Sequence, residues 1–181
     1  MRALVPDILA QGIIGHAFGC PDMIGGGNFV DFTAETMKHL DTELVVRYAQ
    51  CLALMPMMQF SAAPWRVLPQ SENEMCLQMA KLHERFGKKI IALADESKDT
   101  GEPIVRYMEY VFPDQGFVDC IDQFMLGNNV LVAPVLEKGM RHRKVKLPCG
   151  RWKFTDGTEY NGGQIVTVDS PLHVLPYFEK C

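Results

Sequence analysis

At 181 residues, 48% of them apolar, the chain is long enough for one domain of ordinary size or two small ones with an ample core. A net charge of −4, from 18 Lys and Arg against 22 Asp and Glu, leaves no basic footprint and argues against nucleic acid as a partner. Six scattered cysteines with no CxxC and no histidine at ligand spacing argue against zinc, no cofactor is expected, and no run of about 18 apolar residues offers a membrane span.

In chain order, Ala3 to Gln11 has Leu4, Ile8 and Gln11 at helical spacing, with Gly12 as the expected stop. The first residues carry no helix start of their own, as expected of a chain whose natural beginning lies upstream. Ile13 to Cys20 reads as a short strand covered on both faces, ended by Pro21, which has no N–H to donate. Asp22 follows as a lone carboxylate before Gly25, Gly26 and Gly27, which permit positive φ and close backbone approach to a ligand. A strand's carboxyl end is where α/β folds place binding sites, so Asp22 is the leading site candidate. A solvated turn carboxylate accounts for the same pattern. Asn28 to His39 is expected to lie over the strand end as a short lid.

Asp41 is placed to cap a helix through Val45, Tyr48, Cys51, Leu52 and Met55, which Pro56 then breaks. Met57 to Ala62 reads as a second buried strand, ending in Ala63-Pro64-Trp65-Arg66. Gln59 and Trp65 at this second strand end are ligand-contact candidates, with a satisfied buried amide and a core aromatic as the competing readings. Ser71 with Glu74 three residues later forms a capping-box pattern, opening a long amphipathic helix to about Ser97. Cys51 and Cys76 fall within these helical patterns, where buried free thiols are the commoner outcome.

After Gly101 the period changes to two, and the chain divides there into a helix-and-strand part and an all-β part. Strands are expected over Ile104–Tyr110, Gln123–Leu126, Val130–Val135, Lys144–Leu147, Trp152–Thr155, Gln164–Val168 and Val174–Phe178, separated by Gly, Asn and Pro turns. The Arg141–Lys144 cluster, RHRK, has no interleaved aromatics and reads as a solvated turn or hairpin face. Trp152 and Tyr160 suit either a sandwich core or an exposed sugar platform.

Taken together, a run of motifs in order resembles the carboxyl-terminal part of glycoside hydrolase family 31, retaining α-glycosidases on a (β/α)8 barrel. GIIGHAFGCPDMIGGG is similar to that family's seventh-strand segment, and ELVVRYAQCLALMPMM to its helix and eighth strand. DTGEPIVRYMEYVFPD, IDQFMLGNNVLVAPVLEKG and RKVKLPCGRWKFTDGTEY resemble the entry into its β-sandwich and the next hairpin. PDMIGGG and MPMMQFSAAPWR are most similar to the myogenesis-regulating glycosidase group. The resemblance implies the last two βα units of a barrel in residues 1–100 and an antiparallel β-sandwich in residues 101–181, as a fragment of a larger protein. It implies carbohydrate substrates, α-galactosides first and α-glucosides second, with Asp22, Gln59 and Trp65 as substrate-binding residues. The family's catalytic carboxylates belong to strands upstream of everything here, so no residue of this chain is expected to be catalytic and the fragment is expected to be inactive alone. Gln59-Phe60-Ser61 stands where most members carry Arg-x-His, a departure from ordinary α-glucosidases. A non-catalytic, glycosidase-like binding protein is the alternative. The group's secretory location and membrane anchor would lie outside this segment, and oligomeric state is not readable.

Overall fold

The structure, a computed structural model, describes residues 1–26 and 39–181. The expected Asn28–His39 lid, apart from His39, and Gly27 lie outside the described residues.

Helix α1 (Leu4–Ile13) buries Val5, Ile8 and Leu9. It runs straight through Gly12, which is therefore not a stop. A Cβ at Gly12 would lie 3.0 Å from Pro103 Cβ and 3.2 Å from the Val105 carbonyl oxygen, so this glycine is a close-approach site between helix and sheet. The turn comes instead at Gly15, at φ 93°. Ile14 is 71% exposed and no strand follows, so the strand expected over Ile13–Cys20 is absent. What remains of the two expected strands is one parallel bridge between Ile24 and Phe60. A strand buried on both faces needs ladder partners and two covering layers, and among the described residues these segments have only each other.

Asp41 caps α2 (Thr42–Leu52) as expected, accepting from the Leu44 N–H at 3.1 Å. The helix stops at Leu52, three residues early, in buried turns that precede Pro56. A short α3 (Pro64–Val67) leads into α4 (Gln70–Thr100), 31 residues long. The capping box does not form. Pro69 occupies the cap, which puts Ser71 inside the first turn, where its hydroxyl bonds Glu72, while Glu74 pairs with Gln78. At the other end Gly101, at φ 78°, takes the left-handed conformation that closes the helix.

Beyond Gly101 come β1 (Val105–Arg106), α5 (Met108–Val111), β2 (Phe124–Leu126), β3 (Val130–Val132), β4 (His142–Leu147), β5 (Arg151–Phe154), β6 (Glu159–Asn161), β7 (Gln164–Asp169) and β8 (Tyr177–Lys180). They form a six-stranded antiparallel sheet, β1-β2-β3-β8-β5-β6, and a two-stranded sheet, β4-β7. The strand expected over Ile104–Tyr110 is cut to two residues by α5. The last strand is shifted from Val174–Phe178, because Val174 is held in a turn by its N–H to Pro171 O (2.9 Å).

Period two decides which side chain meets which layer. Phe124, Leu126, Val130, Val132 and Tyr177 join Leu9, Leu52, Met79, Leu82 and Phe86 of the helices in one core. Met125, Leu131 and Phe178, alternating with them, join Val145, Leu147, Trp152, Val166 and Val168 in a second core between the two sheets. Trp152 is fully buried there, its Nε1–H donating to Pro148 O at 2.9 Å, so it is core and not a platform. The RHRK cluster does lie on the β4–β7 ladder, yet it is not simply solvated: Arg141 pairs with Glu43 at 2.6 Å and Arg143 with Asp122 at 2.8 Å.

Candidate functional site

The Asp22 loop is positioned by main-chain bonds. The Ile24 N–H donates to Gln59 O at 2.7 Å, and Ile24 O accepts from the Ser61 N–H and hydroxyl, both at 2.9 Å. The Ser61 hydroxyl also reaches Gly26 O at 3.4 Å. Gly25 sits at φ 98°, and a Cβ on it would stand 2.8 Å from Ser61 Oγ, so glycine is required there on two grounds. The bridge therefore brings the segments of Asp22 and Gln59 together.

Asp22 itself is exposed, with Oδ1 accepting from the Met23 N–H at 2.6 Å. Among the described residues its second oxygen has no hydrogen-bond partner, and a carboxylate oxygen can accept from a ligand hydroxyl. Gln59 serves the bridge through its carbonyl while the residue is exposed, so its side chain is not a buried amide. Trp65 is the second residue of α3 and is 74% exposed, which removes it from the core. Among the described residues no hydrogen bond joins Trp65 to Asp22 or Gln59. The void between Ile24, Gly25, Phe60 and Ser61 measures about 10 Å³, too small for a sugar ring.

Sequence reasoning marked Ser61 at the second strand end beside Gln59 and Trp65, but missed Tyr48. Burial, and after it the Asp22 carboxylate, push the Tyr48 phenol up to about 12, so it is neutral at ordinary pH. Its place in the apolar spacing of α2 hid this, since the ring reads as core there. Among the described residues Asp22 is the one carboxylate in this arrangement, which suits it to hold hydroxyls. Among the described residues no group of three or more His, Cys, Asp and Glu is placed to hold a metal ion.

Residues 101–181 match the glycosyl hydrolase family 31 C-terminal domain. The chain is 35% identical to the mouse (Mus musculus) myogenesis-regulating glycosidase across 98% of its own length and 26% of that protein's. It is 32% identical to the SITS-binding protein of Tetronarce californica, covering 86% of this chain and 22% of that one. Among solved structures, a GH31 α-xylosidase from a soil metagenome, complexed with xylose, superposes with a TM-score of 0.82 at 28% identity, over 95% of this chain and 29% of its own. The GH31 dextranase of Flavobacterium johnsoniae, complexed with glucose, gives 0.85 at 28%, over 99% of this chain and 22% of its own. The chain thus spans about a quarter of the length of the curated relatives it matches. The ordered motifs, the sheet domain and these likenesses agree, and the chain belongs to glycosyl hydrolase family 31, with residues 101–181 as its C-terminal domain.

Proposed function

We propose that this chain is the carboxyl-terminal part of a retaining α-glycosidase, comprising the last two βα units of a (β/α)8 barrel in residues 1–100 and a β-sandwich in residues 101–181. The observation that carries the reading is the 35% identity to a glycosidase across 98% of the chain. The parallel bridge between Ile24 and Phe60 supports it, because neighbouring strands of such a barrel run parallel. Retention needs two carboxylates about 5–5.5 Å apart, and no such pair with Asp22 is found among the described residues. Catalysis is therefore assigned to upstream residues of the full-length protein, with Asp22 binding sugar hydroxyls and Gln59 and Trp65 in supporting contacts. Trp65 offers an exposed indole face suited to pyranose C–H groups.

Hydrolysis of chromogenic α-galactoside and α-glucoside by the full-length protein, with the 181-residue chain alongside, tests this. Turnover of the galactoside in preference to the glucoside by the full-length protein alone is the expected result. Turnover by the short chain would overturn the placement of the chemistry. A second reading, a non-catalytic binding protein of the same fold, is favoured by the 32% identity to a relative named for binding. No turnover by the full-length protein would select it.

A further inference from the structure

A cavity of about 410 Å³ lies where the end of α4 meets β1 and α5, within the size range of small-molecule sites, and no residue of the Asp22 loop or of Gln59–Ser61 lines it. Arg106 is its buried member, 3% exposed. Arg106 Nε donates to Pro103 O at 2.7 Å, Nη1 to Asn128 Oδ1 at 2.6 Å and Nη2 to Glu96 Oε1 at 2.9 Å. Glu102 lies 3.8 Å from Arg106 Nη1 and accepts from the Tyr110 hydroxyl at 2.8 Å. Lys180 Nζ stands 5.4 Å from the centre of the Phe112 ring. Arg106, Glu96, Asn128, Glu102 and Tyr110 hold one another before any ligand arrives, which lowers the ordering cost of binding.

Charge and hydrogen-bonding capacity together select the ligand class. Glu96 and Glu102 offset Arg106 and Lys180, so an anion meets two carboxylates and a cation meets two cations. Each carboxylate keeps acceptor positions open, Asn128 keeps two amide N–H donors because its oxygen is held by Arg106, and Lys180 keeps its ammonium donors. A lining of interleaved donors and acceptors fits neighbouring hydroxyls, which do both. Tyr110, 47% exposed, adds an aromatic surface against which sugar C–H groups pack.

We propose that this cavity binds a neutral pyranoside through Glu96, Glu102, Asn128 and Lys180, with Tyr110 as its aromatic wall. The site goes beyond the catalytic reading above and does not depend on turnover. To test it, the 181-residue chain carrying Asp22→Asn is titrated calorimetrically with methyl α-D-glucopyranoside and methyl α-D-galactopyranoside, with inorganic phosphate as the charged control. Saturable millimolar binding of at least one sugar is expected, weakened at least about tenfold by Tyr110→Ala and by Glu102→Gln, with a smaller loss for Tyr110→Phe. Tyr110 lies at the surface and Arg106 is left intact, so these variants keep the fold, which circular dichroism checks. Absence of saturable sugar binding, binding indifferent to Tyr110→Ala and Glu102→Gln, or preference for phosphate would each overturn the proposal. Failure of the full-length protein to hydrolyse glycosides would leave it standing.

Discussion

Asp22 is exposed and has one oxygen committed to the Met23 N–H, so the sugar-binding role proposed for it falls to its other oxygen. In the full-length protein Asp22→Asn is expected to lower kcat/KM at least about tenfold, on the order of 1.4 kcal/mol of transition-state stabilisation, measured by steady-state kinetics. Unchanged kinetics with a lower Tm would make it a loop-holding residue instead. The same change removes a carboxylate that raises the Tyr48 phenol, so spectrophotometric titration is expected to show that phenol ionising at lower pH than in the wild type. Thiol reactivity separates in the same way by burial. Burial pushes Cys51 up to about 12 and Cys76 and Cys120 up to about 11, whereas Cys149 and Cys181 are exposed. Maleimide at neutral pH is expected to label Cys149 and Cys181 in the native chain, and Cys51 only after unfolding, read by mass spectrometry. The turn that carries Asp22 was legible in the sequence because Gly25 and Gly26, both at positive φ, follow it closely. Tyr48 was not, since a ring at helical spacing looks the same whether or not its hydroxyl faces a site.

At the scale of elements, α2 carries the clearest cap and the clearest pH dependence. The hydrogen bond from Lys138, and then the Leu44 N–H, hold the Asp41 carboxyl below its usual range, and Arg141 does the same for Glu43. A carboxylate whose folded pKa is depressed adds stability that is present above the unfolded carboxylate range near pH 4 and is lost as pH falls through its folded value. The Tm is therefore expected to fall below about pH 4, and the Asp41→Asn/Glu43→Gln double variant to melt lower at pH 7 with a shallower acid slope. Arg47 on the same helix is 2% exposed and donates to Gln50 Oε1 and to the carbonyls of Met140, Ser170 and Pro171. Its removal strands buried acceptors from three loop residues, so Arg47→Met is expected to cost about 3 kcal/mol in denaturant unfolding. The Asp41 cap was readable because its partner is three residues away on the same helix. The capping box at Ser71 misled because Pro69 sets the start of α4, and Arg47 was invisible because its acceptors lie about 90 to 125 residues along the chain.

For the whole molecule, periodicity revealed the change at Gly101 and most strands after it, but not that β2 and β3 are buried on both faces. Three-residue strands such as Phe124–Leu126 and Val130–Val132 are apolar throughout, and alternation cannot be read from a run with no polar member. The consequence is that the sheet shares one core with the helices: Phe124, Leu126, Val130, Val132 and Tyr177 pack with residues of α1, α2 and α4. Polar links reinforce it across Gly101, through Arg47, through Gln50 to Leu172 O at 2.6 Å, and through Lys138 to Asp41 at 2.7 Å. Excising residues 101–181 would bare five apolar side chains on one sheet face, at roughly 1.5–3 kcal/mol each, against a total stability of about 5–15 kcal/mol for an ordinary domain. Those magnitudes are comparable, so the excised segment is expected to lack a cooperative calorimetric transition and to bind the dye ANS. The 181-residue chain is expected to melt in one transition, since neither core can be opened without uncovering the six-stranded sheet between them. Two separated transitions in the intact chain, or a sharp one in the excised segment, would mean that the sandwich core holding Met125, Leu131, Trp152 and Phe178 suffices alone and that the helices only lean on a finished domain.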